Sequence, residues 1–296
     1  MIHIDYYKNC NLCGRHCGVD RARVLGFCRC FTDVKVARIG LHLWEEPIIS
    51  GANGSGTIFF SGCSLGCIYC QNREISRAPV GKTKSVDEIA FAMLELEKQG
   101  AHNINFVTPT HFAPAVASAV DLSRSKGLKI PIVYNTSSYD SIETLAMLEG
   151  KVDIYLADLK YYKPQSASKL SLAENYPEIA RTAIAEMVRQ QPKPVIENGI
   201  MKRGVIVRVL LLPLHVAEAK LSLKYLYETY GDNIYISLMS QYTPLSDMPA
   251  PLNRRVSSME YDELVEYADK IGVKNAFIQE RSSSVSDYIP EFDIST

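Results

Sequence analysis

Three cysteines on one short loop are the side chains best suited to chemistry. Cys63, Cys67 and Cys70 follow a C-x3-C-x2-C spacing directly after an apolar, β-rich run that starts at Thr57. Soft thiolates suit iron–sulfur clusters, and a complete cube normally takes four cysteine ligands. With three ligands, one iron keeps an open position that can bind a substrate or cofactor. The loop therefore predicts a four-iron four-sulfur cluster with an open iron, and a zinc knuckle or a buried trio of reduced thiols is the alternative.

A second group of cysteines precedes this loop. The pattern is a C-x2-C pair, a third cysteine four residues further on, and a fourth cysteine after a stretch that contains glycine. This pattern predicts a metal site. Its predicted ligands are Cys10, Cys13, Cys17 and Cys28. Cys30 and His16 could each replace Cys28 as the fourth ligand. Because the ligands are all thiolates, zinc and a second iron–sulfur cluster fit the pattern equally well.

Beyond the cysteines, β-rich runs alternate with amphipathic helices, which is typical of parallel βα units. One such helix runs from Val86 to Gln99, with Ile89, Met93 and Leu96 on one face. The predicted strands are Thr57–Ser61, Asn103–Thr108, Ile130–Asn135, Val152–Asp158, Val205–Leu212 and Ile234–Met239, with a short β-like run at Ala276–Gln279. Six units predict an α/β fold, an open partial (β/α)6 barrel over residues 51–280. A small cysteine-rich metal-binding segment (1–50) would precede it and a polar tail (281–296) would follow.

Polar side chains follow most of these strands. Parallel strands place their carboxyl ends at one mouth, which is where α/β barrels carry their chemistry. The residues predicted to gather there are Thr108, Pro109, Thr110, His111, Asn135, Thr136, Ser137, Ser138, Asp158, Lys160, Pro213, His215, Ser240, Gln241 and Tyr242. Any one of them could be only a cap or turn residue. Together they predict a polar pocket above the cysteine loop.

Composition and charge narrow the class of protein. The chain has 296 residues, 47% of them hydrophobic, and a net charge of -1, which offers no basic surface for nucleic acid or anionic lipid. The start of the chain lacks a signal-peptide pattern, and no apolar stretch approaches bilayer length. Without an export signal, clustered cysteines indicate metal rather than disulfides. We therefore expect a cytoplasmic protein with no nucleic-acid or membrane partner.

Several sequence blocks resemble the radical S-adenosylmethionine (SAM) superfamily, and within it the uncharacterised proteins described as similar to pyruvate formate-lyase activating enzyme. The blocks are CNLCGRHCGVDR with GFC, FFSGCSLGCIYCQN, VTPTHF, PIVYNTSSYD, DIYLADLKY, VRVLLLP and SLMSQYTP. The resemblance implies that the open iron binds the amino and carboxylate groups of SAM. The reduced cluster would then cleave SAM to a 5'-deoxyadenosyl radical.

The resemblance also gives roles to residues around the adenosine. Tyr69 would lie where the backbone approaches adenine, and Asn135, Thr136 and Ser137 would contact the ribose. The segment from Thr108 to Thr110 stands where relatives have a glutamate for the SAM amino group. Since VTPTH contains no acidic residue, hydroxyls and carbonyls would have to replace that glutamate.

Charged residues of the mouth would meet the other end of SAM. Asp158 and Lys160 match an aspartate-leucine-lysine sequence that lies by the SAM carboxylate and a monovalent cation in glycyl-radical activating enzymes. Arg208 is a further candidate partner for the carboxylate. The chain departs from the branch at Gly14, where a proline is usual, and at Val209, where a histidine is usual. The roles of His111 and His215 stay open.

The function implied by the resemblance is hydrogen abstraction by a radical SAM enzyme that receives electrons from a flavodoxin or ferredoxin. The branch suggests a protein substrate, a glycine of a glycyl-radical enzyme. A small metabolite or another peptide is the alternative. A non-catalytic iron–sulfur electron carrier or scaffold is the rival from another class, although a carrier would normally have a fourth protein ligand on its cluster.

Overall fold

The computed structural model describes residues 5–78, 80–279 and 292. Its strands are β1 (Lys35–His42), β2 (Ser55–Phe60), β3 (Lys82–Thr83), β4 (Ile104–Val107), β5 (Ile132–Thr136), β6 (Ile154–Asp158), β7 (Val195–Glu197), β8 (Ile200–Leu210), β9 (Tyr235–Met239) and β10 (Ala276–Ile278). Its α-helices are α1 (Asp5–Lys8), α2 (Pro47–Ser50), α3 (Arg73–Ser76), α4 (Val86–Lys98), α5 (Ala113–Ser125), α6 (Ile142–Leu148), α7 (Pro164–Ser171), α8 (Tyr176–Gln190), α9 (Val216–Tyr230) and α10 (Ser258–Ile271).

The expected partial barrel is confirmed. Strands β2, β4, β5, β6, β8, β9 and β10 are parallel neighbours in that order, so the short run at the end joins the six predicted strands. Sequence analysis did not predict β1, which pairs antiparallel with β2 and carries β3 on its other edge. The short strand β7 forms a hairpin with β8. The parallel strands therefore bring their carboxyl ends to one mouth.

Helices cover the outer face of this sheet. Phe60 and Phe106 stack across β2 and β4 with ring centroids 6.0 Å apart, beneath α4 and α5. Helix α4 begins after a capping box at Ser85, in which the serine hydroxyl accepts from the backbone of Glu88 and the glutamate accepts from Ser85. Its buried face carries the side chains predicted from periodicity. This packing holds the strand ends in fixed positions.

A short segment closes the amino end of the barrel. Residues 43–50, which we call the plug, follow β1 and lead into α2. Ile49 packs in the barrel interior against Val133, Leu156 and Ile206. The apolar end of the plug thus fills the base of the barrel, and its preceding residues lie nearer the mouth.

The first part of the chain docks against the barrel. Gly14 donates its backbone N–H to the carbonyl of Tyr139 at 3.0 Å, and Cys13 forms a β-bridge with Asp140. Strand β1 falls within the first fifty residues and yet belongs to the main sheet. The predicted division of the chain into two parts at residue 50 stays a prediction. The predicted polar tail lies outside the described residues, apart from Phe292. Among the described residues, no helix combines the length and apolarity needed to span a bilayer.

Candidate active site

The cysteine loop begins directly after β2, at the mouth of the barrel. Gly62 has a φ of 82°, and a Cβ there would collide with the sulfur of Cys30 and the carbonyl oxygen of Cys28. Only glycine tolerates both the backbone conformation and this close approach. The three cysteines that follow, Cys63, Cys67 and Cys70, line one pocket.

The surroundings of these thiols suit a cationic group. Burial and the neighbouring Cys67 and Cys70 raise the pKa of Cys63 to about 11, and burial and Cys67 also raise the pKa of Cys70. A metal centre binds thiolates and supplies the positive charge that offsets this cost. The hydroxyl of Ser171 donates to the sulfur of Cys67 at 3.0 Å. The trio therefore fits the cluster that its spacing predicts.

A charged network lies across the mouth from the cysteine loop. Asp158 accepts from Nε of Arg208 at 2.7 Å and pairs with Nζ of Lys160 at 2.7 Å. Burial alone would raise the pKa of Asp158, but the charges on Arg208 and Lys160 outweigh it and hold that pKa below its ordinary value. Arg208 also donates to the side-chain oxygen of Asn135 at 2.6 Å. All four residues line the pocket that contains the cysteines.

Glu45 of the plug brings a further carboxylate into the same pocket. Its Oε1 accepts from the amide of Asn105 at 2.9 Å, and its Oε2 lies 3.6 Å from the guanidinium of Arg208. Burial is the main cause that raises the pKa of Glu45, and it does the same for the adjacent Glu46. Three buried carboxylates therefore face two buried cations in the barrel interior.

Hydroxyl groups follow β4 and β5. Thr108 directly follows β4 and has a φ of 57°, which is uncommon for a residue other than glycine and is a recurrent feature of functional sites. The hydroxyls of Thr110 and Thr136 lie 3.3 Å apart, and Thr136 donates to Asp140 at 2.5 Å. The pocket lining includes Thr108, Thr110, Thr136 and Ser137. The structure thus gathers most of the predicted mouth residues in one pocket, but the pocket lining does not include Pro109, His111, Ser138, Pro213, His215 or Ser240.

Tyrosines form a wall of the pocket beside the cluster loop. The Tyr69 hydroxyl accepts from Tyr161 at 2.8 Å, and the hydroxyls of Tyr161 and Ser171 lie 2.6 Å apart. The ring of Tyr69 meets that of Tyr242 edge on, with centroids 6.1 Å apart. The hydrogen bonds fix Tyr69, so its backbone is held between Cys67 and Cys70.

The two histidines considered from the sequence do not line this pocket. His111 is buried; its Nε2 lies 2.8 Å from the carbonyl oxygen of Ser61, and burial, reinforced by Arg21, lowers its pKa to about 3. Nδ1 of His215 lies 2.8 Å from the carbonyl oxygen of Pro213. In each residue, one ring nitrogen therefore contacts a backbone carbonyl.

Sequence reasoning missed, among other pocket residues, His42, Trp44 and Glu45. They come from the end of β1 and from the plug, outside the βα repeat. The available signal was the acidic pair in LHLWEEPII, because two carboxylates inside an otherwise apolar run need either solvent or polar partners.

The N-terminal cysteines meet beside this site. Burial raises the pKa of Cys13, and the thiols of Cys28, Cys10 and Cys17 add to the effect. The sulfur of Cys30 instead donates to the carbonyls of Ser61 and Cys28, at 3.3 and 3.5 Å. The side chain of His16 is exposed.

The fold and the loop together define an iron–sulfur enzyme of the partial-barrel class. The sequence matches the Radical SAM superfamily over residues 57–213. The chain belongs to that superfamily, whose general reaction is the cleavage of SAM and whose members carry a four-iron four-sulfur cluster.

The chain is also similar to individual proteins. The chain is 30% identical over 279 residues to the uncharacterized protein MJ0674 of Methanocaldococcus jannaschii, covering 90% of this chain and 76% of the relative. Among solved structures, methylornithine synthase (PylB) aligns with a TM-score of 0.51 at 15% identity, covering 71% of this chain and 61% of its own. SuiB of Streptococcus suis bound to SAM aligns with a TM-score of 0.51 at 9% identity, covering 74% and 48%. The chain thus spans less than two thirds of either solved structure, and these two likenesses concern the fold alone.

Proposed function

We propose that this protein cleaves SAM reductively at a cluster held by Cys63, Cys67 and Cys70, and that the resulting 5'-deoxyadenosyl radical abstracts a hydrogen atom from a substrate. The observation that carries the proposal is that the three thiols share a pocket with Asp158, Lys160 and other charged groups suited to an amino acid. When bound, the cluster supplies the electron for cleavage. The protein supplies orientation and excludes water.

Two side chains of opposite charge would hold the amino-acid end of SAM. Lys160 is a compact point charge suited to the carboxylate, and Asp158 holds it in place at 2.7 Å. Glu45 would receive the ammonium group in place of the acidic residue that the VTPTH segment lacks. Asn135 and Thr136 would contact the ribose, and the backbone at Tyr69 the adenine.

We further propose that the substrate is a glycine Cα–H of a glycyl-radical enzyme. The sequence resemblance to the activating enzymes motivates this choice. Amide side chains at the pocket, those of Gln71, Asn72 and Gln241, suit a peptide because each amide both donates and accepts. Trp44 lines the same pocket and is 52% exposed, as expected of an aromatic contact for a partner protein.

We also propose an electron donor and a second metal site. A reduced flavodoxin or ferredoxin in the cytoplasm would supply the electron. Cys10, Cys13, Cys17 and Cys28 would hold a second metal site, with Cys28 as the fourth ligand because Cys30 donates to backbone carbonyls instead.

The first test is formation of 5'-deoxyadenosine from SAM by anaerobically reconstituted, dithionite-reduced protein. Cys70→Ala should abolish the product because the site cluster loses a ligand. Product in the wild type alone establishes the radical chemistry. A reducible cluster whose EPR signal ignores SAM, with no product, would instead favour an electron carrier or scaffold.

The substrate is tested by adding candidate glycyl-radical proteins to the active enzyme. The expected result is a glycine-centred radical signal in EPR that requires both proteins and SAM. Deoxyadenosine that is stimulated by a small metabolite or free peptide, and by none of the proteins, would contradict a glycyl-radical substrate.

A further inference from the structure

Two arginines hold the backbone carbonyls of the cysteine loop. Nε of Arg15 donates to the carbonyl of Ser64 at 2.9 Å, and its Nη2 donates to that of Leu65 at 2.8 Å. Nη2 of Arg77 donates to the carbonyl of Gly66. These three carbonyls belong to the three residues that fill the first gap of the C-x3-C-x2-C pattern. Every carbonyl of that gap therefore accepts from a guanidinium.

The amide groups of the same peptides face a cluster ligand. The backbone N–H of Leu65, in the peptide whose carbonyl is that of Ser64, donates to the sulfur of Cys63 at 3.4 Å. Burial and the neighbouring thiols raise the pKa of Cys63 to about 11, and hydrogen bonds from the backbone at Gly66 and Leu65 act against that rise. Chained hydrogen bonds polarise one another, so a peptide that accepts from a cation is a stronger donor at its N–H. Arg15 therefore acts on the sulfur of Cys63 through two peptides.

Aromatic rings and the end of a helix fix the side chain of Arg15. Its guanidinium carbon lies 3.6 Å from the ring centroid of Phe27 and 5.4 Å from that of Tyr139. The same guanidinium donates to the carbonyls of Ser171 and Leu172, at the carboxyl end of α7. Cations are favoured both over aromatic faces and at helix C-termini. The guanidinium is thus held in the orientation that the loop carbonyls require.

The positive charges of the two arginines also lie close to the loop. Within residues 5–78, 80–279 and 292, no carboxylate forms an ion pair with Arg15 or Arg77. The potential of an iron–sulfur cluster depends on hydrogen bonds to its sulfurs and on charge. Reduction adds one negative charge, so both the N–H donors and the uncompensated cations favour the reduced form.

We propose that Arg15, with Arg77 beside it, is a positioning residue that raises the reduction potential of the active-site cluster by aiming the peptide N–H groups of the cysteine loop at Cys63. The inference rests on the proposed function. Arg15 acts through the carbonyls of Ser64 and Leu65 and holds neither SAM nor substrate. In a redox titration dithionite supplies the one electron, and no bond or proton changes.

The first experiment is an EPR redox titration of the reconstituted full chain, in which the active-site signal is the one that Cys63→Ala lacks. In Arg15→Gln, the ratio of reduced to oxidised cluster at a fixed potential should fall about tenfold, which is about 59 mV for a one-electron couple. Arg77→Gln loses one such hydrogen bond and should shift the potential less, in the same direction. Unchanged potentials in both variants would overturn the proposal.

Two further variants separate the effect of charge from a structural effect. Arg181→Gln is the matched control, because Arg181 lies 4.2 Å from the ring centroid of Tyr162 and donates to the carbonyl of Tyr162 at 3.1 Å, outside the cysteine loop. It should leave the potential unchanged, and a fall equal to that of Arg15→Gln would overturn the proposal. Arg15→Lys keeps the charge without the planar fork and should recover part of the fall. Equal falls in Arg15→Lys and Arg15→Gln would overturn the electrostatic role.

The test also survives a variant that binds no iron. If Arg15→Gln fails to assemble the cluster, the potentials of Arg77→Gln and Arg15→Lys decide the proposal. Absence of deoxyadenosine in the wild type would defeat the proposed function, while these potentials would still decide the role of Arg15.

Discussion

Replacing Asp158 with asparagine tests the charge network at the mouth. The aspartate, Lys160 and Arg208 have side chains only 14%, 18% and 13% exposed, and both ion-pair distances are 2.7 Å. Removing one partner of a buried ion pair costs about 3–5 kcal/mol, because the remaining charge stays buried. Asparagine keeps one acceptor oxygen, and Glu45 lies 3.6 Å from Arg208. We therefore expect a loss of about 3 kcal/mol in the free energy of unfolding, at the lower end of that range.

Urea unfolding followed by circular dichroism measures this loss, provided that the denaturant slope is unchanged. Asp121→Asn is the matched control. Asp121 pairs with Lys151 at 2.5 Å, but its side chain is 61% exposed, so the control should lose at most about 1 kcal/mol. Lys160→Met added to Asp158→Asn should recover part of the loss because it removes a stranded charge. If Asp158→Asn costs no more than Asp121→Asn, the network contributes no special stability and the reasoning is refuted.

The difference in the free energy of unfolding between wild type and Asp158→Asn should also depend on pH. The folded-state pKa of Asp158 lies below its ordinary value of about 3.9. The carboxylate therefore contributes stability that is fully present above pH 4 and is lost as the pH falls through the folded-state pKa. The difference between wild type and Asp158→Asn should shrink in that acid range. A difference that stays constant to pH 2 would contradict an ionised aspartate.

Three further predictions concern the pocket and its loop. Glu45→Gln should weaken SAM binding about tenfold or more in anaerobic calorimetry, since a hydrogen bond between charged groups contributes about 1.5–3 kcal/mol; an unchanged affinity would remove Glu45 from the site. Gly62→Ala should lower the melting temperature more than Gly127→Ala, because both positions have positive φ but only Gly62 lacks room for a methyl group; equal losses would show that the close contact is not limiting. Ser171→Ala should shift the midpoint potential of the active-site cluster downward in an EPR redox titration, because it removes a donor to the Cys67 sulfur; no shift would mean that this hydrogen bond is absent when the cluster is bound.

The repeat of strands and helices could be read from the sequence because each element carries its own signal. Strand β6, predicted at Val152–Asp158, is found at Ile154–Asp158 with all but its last residue buried. Strand β1 offered no such signal, since charged and small residues interrupt its alternation and its register shifts between Val36 and Arg38. Its place depends on pairing with β2, which a local pattern does not report.

The residues of the candidate site also differ in whether a local sequence pattern could predict them. Asp158 and Lys160 could be predicted because they end a recognisable strand, and the strand ends of a parallel sheet meet. Glu45 could not, because the plug enters the barrel from outside the βα repeat. Its approach to Arg208 depends on how β1 and α2 cross the base of the barrel, which is a tertiary arrangement.

The charge balance of the barrel interior gives Glu45 its significance. With Glu45, Glu46 and Asp158 ionised, the three carboxylates exceed Lys160 and Arg208 by one negative charge, and burial raises the pKa of both glutamates. SAM carries one carboxylate, one ammonium and one sulfonium, a net charge of plus one. Binding it would add positive charge to the interior and favour the ionised glutamates, because a nearby opposite charge stabilises the charged form. This is why we expect Glu45→Gln to weaken SAM binding without unfolding the protein. Asp158→Asn instead removes the carboxylate that pairs with Lys160 and should destabilise the fold itself.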